Sequence, residues 1–247
     1  MKNKYNLKDA TYNFHDVKFN VDGQLADHIK APFPNKSFFM VLVGRPGSGK
    51  TTLATQLLTE KKENRVYNQV FDKIMLVMPQ KSRASIKDNP FDSLNEQNLF
   101  ETFDLSIINK IEENYQNSIK NNKKNFNQLL ILDDITASLK NKNVEFMLKE
   151  LSMNRRHYRL SIILLVQYLR SIPKPIRFQI TDICYFQPSN QLDSLVLNDE
   201  FIGKSRKDFN ELKEFVWKNS HDYMFICKDT NTFFKNTQQI IFNDETA

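Results

Sequence analysis

The sequence predicts an α/β domain, in which a central, mainly parallel β-sheet is flanked by helices and followed by a C-terminal β-hairpin. Three observations predict it. Short, mostly apolar runs recur along the chain: "FFMVLV", "KIMLVM", "LLIL", "SIILLV" and "DICYF". Segments with apolar residues at helical spacing separate them. The runs do not alternate apolar with polar residues, as strands with one wet face do, so both faces of the sheet must be covered.

The elements follow in order. The stretch "VKFNV" alternates and reads as a short edge strand before "APFPNKS" breaks the chain. Residues 1–37 are therefore expected to form an N-terminal extension, and residues 38–247 the main domain. "FFMVLV" is a buried strand, Thr51 to Glu60 a helix, and Lys73 to Met78 a second strand closed by Pro79. A polar loop containing Pro90 follows. Ile107, Ile108, Ile111 and Tyr115 then share one helical face, with Asp104 or Ser106 as N-cap. Leu129 to Leu132 is the third strand. Phe146, Met147, Leu148 and Leu151 mark another helix, Ile162 to Val166 the fourth strand, and Asp182 to Phe186 the fifth. Ser205 can cap a helix carrying Phe209, Leu212, Phe215 and Val216. "YMFIC" and "FFKNTQQIIF", joined across "KDTN", read as the hairpin.

Composition narrows the function classes. With 247 residues and 40% of them hydrophobic, the chain can bury one substantial core. Cys184 and Cys227, its two cysteines, fit neither a disulfide framework nor a metal cluster, which points to a reducing compartment. The start "MKNKYNLKDA" has no apolar core for a signal peptide, and no apolar run nears the roughly 20 residues a membrane span needs. Six of the 35 Lys and Arg, and none of the 29 Asp and Glu, fall between Leu151 and Thr181. That segment carries the whole net charge of +6. It is either a solvated basic face or a surface for a polyanion.

"GRPGSGKT", Gly44 to Thr51, fits the phosphate-loop pattern G-x-x-x-x-G-K-[ST], with a buried strand before it and a helix after it. Three of the chain's five glycines lie in these eight residues. Glycine lets such a loop take positive φ and bring its N–H groups onto phosphate oxygens, while the helix N-terminus adds partial positive charge. Gly44, Arg45, Pro46, Gly47, Ser48, Gly49, Lys50, Thr51 and Thr52 are the nucleotide-binding candidates. Lys50 is expected on the β- and γ-phosphates, the Thr51 hydroxyl on Mg²⁺, and Thr52 on the α-phosphate. "LLILDDI" ends an apolar strand in two acids at the sheet edge where α/β folds bind ligands. Asp133 is the second metal candidate and Asp134 the residue to polarise an attacking water. These features predict a P-loop NTPase using ATP and Mg²⁺.

The strand "SIILLV" ends in Gln167. A carboxamide there either bonds local backbone or faces the ligand. If this strand neighbours the Asp133 strand, Gln167 projects beside the phosphate loop, where it can sense a γ-phosphate or position water.

The combination of "GRPGSGKTTL", "LLILDDI" and "NRRHYRLSIILLVQ" resembles the FtsK–HerA superfamily of DNA-pumping ATPases. It is most similar to the genome-packaging ATPases of large DNA viruses of the poxvirus kind and their small relatives, virophages included. The resemblance spans Phe38 to Phe186 and rests for its specificity on the Arg-Arg-His to Gln segment. Many members have Asp-Glu where this chain has Asp133 and Asp134. The resemblance implies a homo-oligomeric ring, a pentamer or hexamer, in which an arginine of one subunit reaches the nucleotide of the next. Arg155 and Arg156 are the candidates by position, with Arg159 behind them. It also implies double-stranded DNA as partner, a capsid or portal component, no membrane, and action in the host cytoplasm or on the virion. Arg170, Lys174 and Arg177 around "SIPKPIR", and the stretch "QKSRAS", are the DNA-contact candidates. The function expected is ATP-driven translocation of a viral genome into its capsid. The alternatives are a small-molecule or nucleoside kinase, and a nucleotide-dependent scaffold that hydrolyses weakly.

Overall fold

The computed structural model describes residues 24–84, 91, 94–188 and 190–242. The expected strand "VKFNV" lies outside the described residues. Among the described residues nine strands form one sheet, in the order β3-β2-β4-β5-β1-β6-β7-β8-β9. They are β1 (Phe39–Val43), β2 (Lys73–Val77), β3 (Leu99–Phe100), β4 (Gln128–Asp133), β5 (Leu160–Val166), β6 (Asp182–Phe186), β7 (Tyr223–Cys227), β8 (Thr232–Lys235) and β9 (Gln238–Ile240). All pairings from β3 through β6 are parallel, and those from β6 through β9 are antiparallel. The helices are α1 (Lys50–Thr59), α2 (Gln80–Ala84), α3 (Leu105–Lys120), α4 (Lys142–Asn154), α5 (Lys174–Arg177), α6 (Gln191–Leu197) and α7 (Arg206–Val216).

The central strands are buried on both faces because alternate residues feed two separate core layers. Phe39, Val41 and Val43 of β1 pack with Ile107 and Ile111 of α3, Leu148 and Leu151 of α4, and Phe209 and Leu212 of α7. Met40 and Leu42 pack on the other face with Ala54 and Leu57 of α1, Tyr67, and Ile29 from the preceding segment. Each such side chain taken from water contributes about 1.5–3 kcal/mol. Residues before the first core strand thus join the core. Tyr67 also donates its hydroxyl to the Pro34 carbonyl at 3.0 Å.

Helix ends follow the local chemistry. The Asp104 carboxylate accepts the Ser106 N–H at 2.8 Å and caps α3. Ser205 caps α7 by accepting the Asp208 N–H at 3.2 Å. The C-terminal hairpin is present as β7 and β8, and β9 extends it into a three-stranded meander. Its second arm breaks at Asn236, which takes a positive φ of 54° and separates β8 from β9. Between β6 and α7 the chain also forms α6, extended by a single wide turn at Asn198–Ile202 that Gly203 ends.

Asp182, at the start of β6, is buried, and its carboxyl pKa is pushed up from 3.8 to about 7. Burial is the main cause. The Thr181 hydroxyl bond opposes it, the nearby charge of Asp229 adds to it, and Arg155 opposes it. A carboxyl raised in the native state holds its proton more tightly folded than unfolded. Its contribution therefore favours the fold in acid and is lost as the pH rises from about 4 through about 7. Asp182→Asn is expected to raise the Tm by several degrees at pH 8 and to change it little at pH 4, measured by thermal unfolding at both pH values. An equal shift at the two would show that the buried charge is not the cause.

Candidate functional site

The topology brings the tips of β4, β5 and β1, three adjacent strands, to one edge of the sheet. Val43 is level with Val166, and Asp133 with Leu165. Beyond Val43 the phosphate loop begins, and its first N–H, on Gly44, donates to the Val166 carbonyl at 3.1 Å. The loop is thereby tied to the peptide that carries Gln167. A cavity of about 310 Å³ collects Lys50 and Thr51 of the loop, Asp133 and Asp134 of β4 and its exit, and Gln167. Ser82 of α2 lines it too.

The glycines serve two physical needs. Gly47 and Gly49 have φ of 74° and 103°, so the loop can turn and start α1 at Lys50. Gly44 has no positive φ. Its need is space: a Cβ there would sit 2.5 Å from the Ser48 hydroxyl and 2.8 Å from Phe186 Cβ. Arg45 and Pro46 are exposed, and Pro46 lines the same cavity as Lys50 and Gln167. The Ser48 hydroxyl is buried and makes no hydrogen bond among the described residues. Lys50 Nζ donates to the carbonyls of Gly44 (2.6 Å) and Arg45 (3.1 Å). Burial lowers the Lys50 pKa, against the pull of Asp133 and Asp134. Burial likewise raises Asp133, against the Lys50 charge.

Thr51 donates its hydroxyl to Asp133 Oδ2 at 3.4 Å. A hydroxyl and a carboxylate this close, in one cavity with a second carboxylate, form a hard-oxygen donor set of the kind Mg²⁺ takes. These residues fit the ion. Asp134 sits in the left-handed region at φ 58°, and its Oδ2 accepts the Ser82 hydroxyl at 2.9 Å. The Gln167 side chain is exposed to the cavity and makes no hydrogen bond among the described residues. Local backbone bonding therefore does not account for it.

The turn after Gln167 is held by a residue the motifs did not flag. Asp193 of α6 is wholly buried, and its carboxylate accepts the N–H of Leu169 (3.2 Å) and of Arg170 (2.9 Å). It also accepts the hydroxyl of Tyr185 on β6. Burial, and then this bond, push the Tyr185 pKa well above its ordinary value.

The basic candidates separate. Arg177 is buried, and its guanidinium forks onto Glu200, with Nε and Nη2 each 2.7 Å from a carboxylate oxygen. Its third arm bonds the Ile172 carbonyl. This placement speaks against the expected DNA contact: the guanidinium is turned into the fold, with three of its five N–H donors taken by Glu200 and the Ile172 carbonyl. Arg170 and Lys174 are exposed. Arg155 is also buried, with Nη1 on the Ser152 carbonyl at 2.8 Å. That placement corrects its assignment as a group offered to a neighbour. Arg156 is exposed and, with Arg159, His157 and Tyr158, lines a cavity of about 450 Å³ at the opposite edge of the sheet. The seven residues of β5 separate that edge from Gln167, a span of about 20 Å. Of "QKSRAS", the first five residues form α2 beside Asp134, and Ser85 lies outside the described residues.

A parallel sheet, a glycine loop opening a helix, and an acid ending a nearby strand define the chain as a P-loop NTPase fold. Within that class it belongs to the Poxvirus A32 protein family, whose model matches residues 28–246. No individually curated protein matches the sequence. Among solved structures it is similar to B204, the DNA-packaging ATPase of Sulfolobus turreted icosahedral virus. That likeness has a TM-score of 0.55 at 14% identity, over 80% of this chain and 95% of the other. The genome packaging NTPase B204 of Sulfolobus turreted icosahedral virus 2, in complex with AMP, matches with a TM-score of 0.53 at 16% identity, over 83% and 98%. The pCW3 conjugation coupling protein TcpA matches with a TM-score of 0.54 at 10% identity, over 85% and 62%. At these identities the likeness is one of fold. Among the described residues no helix is long and apolar enough to cross a membrane.

Asp193→Ala would leave three buried donors without their acceptor and is expected to cost roughly 3 kcal/mol of stability. Tyr185→Phe removes one donor and should cost about 1 kcal/mol. Urea unfolding measures both. Small, equal losses would mean that the carboxylate does not hold the turn.

Proposed function

We propose that this protein is an ATPase that drives double-stranded DNA into a viral capsid as a homo-oligomeric ring of five or six subunits. The observation that carries the reading is the single cavity shared by Lys50, Thr51, Asp133, Asp134 and Gln167. Membership of the poxvirus A32 family and the likeness to a DNA-packaging ATPase support it.

The roles follow from position. The N–H groups of the loop and the start of α1 bind the phosphates, with Thr52 toward the α-phosphate. Lys50 moves from the loop carbonyls onto the β- and γ-oxygens, where its charge is neutralised better. Thr51 and Asp133 would hold Mg²⁺, which when bound would supply neutralisation of charge on the phosphate oxygens. Asp134, oriented by Ser82, accepts a hydrogen bond from the attacking water. Gln167 orients that water and registers the γ-phosphate. Catalysis is then positioning plus charge stabilisation.

A basic group from the next subunit completes the site. Arg156 is the arginine for that task, since it is exposed and stands at the edge of the sheet far from its own Lys50. Arg170 and Lys174 contact the DNA backbone from the segment that leaves Gln167. Loss of the γ-phosphate is thus transmitted to the DNA through a few residues of one turn. The ring docks on a capsid or portal component and works in the host cytoplasm or on the virion.

ATP turnover measured with and without duplex DNA over a salt series tests the reading. Stimulation by DNA that falls steeply with salt is expected. Turnover that ignores DNA and requires a small acceptor would make the protein a kinase. Lys50→Ala should abolish nucleotide binding or turnover. Gln167→Ala should lower kcat about 100-fold and leave ATP affinity nearly unchanged; equal loss of both would make it a structural residue. Mixing Arg156→Ala with Asp134→Asn subunits should restore part of the activity, because mixed rings contain some intact sites. No recovery in assembled rings at any ratio would exclude Arg156 acting in trans.

A further inference from the structure

The phosphate loop borders two cavities of opposite chemistry. One holds the carboxylates and Gln167. The other, about 420 Å³, is walled by Thr52, Leu53 and Gln56 of α1 on one side and by Phe186, His221 and Tyr223 on the other. Gly47, Lys50 and Thr51 line both. A triphosphate with its last group toward the acids therefore points its first phosphate, and whatever that phosphate carries, into the second cavity.

We propose that this second cavity is the nucleobase subsite and that His221 makes it selective for a purine with an amino group at C6, as adenine has. The inference rests on the nucleotide-binding part of the function proposed above. The volume lies in the range of small-ligand sites. Phe186 and Tyr223 are paired across β6 and β7, with ring centroids 5.5 Å apart, and offer an aromatic wall on which a base can stack.

His221 is placed with care. It takes a positive φ of 71° in the turn before β7. The neighbouring Asp222 locks that turn. Its carboxylate accepts the Asn219 N–H (2.9 Å) and the Asn236 carboxamide (3.1 Å), and pairs with Lys235 (3.3 Å). His221 Nδ1 lies 3.0 Å from the Ser48 carbonyl oxygen. A carbonyl oxygen only accepts, so Nδ1 carries the proton. In the neutral ring Nε2 is then an acceptor. Adenine's amino group donates to it, whereas guanine has a carbonyl at that ring position and would leave two acceptors facing each other.

Equilibrium binding of ATP, GTP and inorganic tripolyphosphate to the full chain, by calorimetry, tests this without requiring turnover. ATP is expected to bind about tenfold or more tighter than tripolyphosphate, and about tenfold tighter than GTP. Asparagine tolerates the left-handed region, and its amide can keep the bond to the Ser48 carbonyl while lacking the ring acceptor. His221→Asn should therefore erase the preference for ATP over GTP and leave tripolyphosphate affinity unchanged. Tyr223→Leu should weaken ATP and GTP together and spare tripolyphosphate. Equal affinity of the unaltered protein for all three probes would overturn the subsite. Equal weakening of all three by His221→Asn would overturn the selective role and make the histidine a support for the loop. If ATP binds with the expected preference and is not hydrolysed, the motor reading fails while the subsite stands.

Discussion

The hydrogen bond from the Gly44 N–H to the Val166 carbonyl is the constraint on which the site depends. It continues the parallel ladder of β1 and β5 by one step beyond the last paired residues, Val43 and Val166. Because of it, the phosphate loop cannot leave the sheet at an arbitrary angle, and Gln167 must emerge beside it. The same ladder on the other side of β5 sets Asp133 level with Leu165. Three strand ends, each wholly or nearly buried, act as rigid supports for groups that a surface loop would place less accurately. The apolar content of these strands is thus part of the chemistry, since it fixes distances between charged groups that repel or attract one another.

Much of this was legible in the residues, for identifiable reasons. A buried parallel strand announces itself through continuous apolar sequence, and a phosphate loop through glycines with fixed spacing to Lys50 and Thr51. The placement of Gln167 depends on the strands of Asp133 and Gln167 being neighbours, and in the strand order they are. What sequence could not supply were partners brought in from distant segments. Ser82 reaches Asp134 across 52 residues, and His221 reaches Ser48 across 173. No periodicity encodes such contacts. Asn236, whose positive φ divides the expected hairpin arm, lay in a run whose flanking aromatics and isoleucines read as one strand.

Charge was the least legible property. The acid-free segment from Leu151 to Thr181 suggested one basic face, but a linear run of charge says nothing about direction. This segment crosses the sheet from one edge to the other as β5 and returns. Arg156 therefore ends at one edge of the sheet and Gln167 at the other. Two of the six basic residues are consumed inside the fold. Arg177 is held by Glu200, whose carboxyl the pair keeps below the usual range. Arg155 is buried near Asp182 and Asp229, and burial lowers its own pKa. The acids near both lie outside the basic segment, which is why the segment looks more exposed in the sequence than it is.

The division of the sheet into two edges has a geometric consequence for any assembly. Lys50, Thr51, Asp133, Asp134 and Gln167 gather where the parallel strands end, and Arg156 stands exposed where β5 begins, so no single subunit can bring the two together without breaking the sheet. A head-to-tail arrangement would do so by repetition, since it would set the Arg156 edge of one subunit against the phosphate-loop edge of the next. Contacts of that kind close into a ring when the rotation between neighbours divides a full turn. Arg170 then occupies a distinctive position, because Asp193 ties its backbone to β6 through Tyr185 while Gln167 lies three residues earlier. Any displacement of Gln167 would have to be absorbed within that short segment, because the buried Asp193 carboxylate holds the N–H groups of Leu169 and Arg170. What such a displacement could pass on is carried by Tyr168 and by the exposed side chain of Arg170.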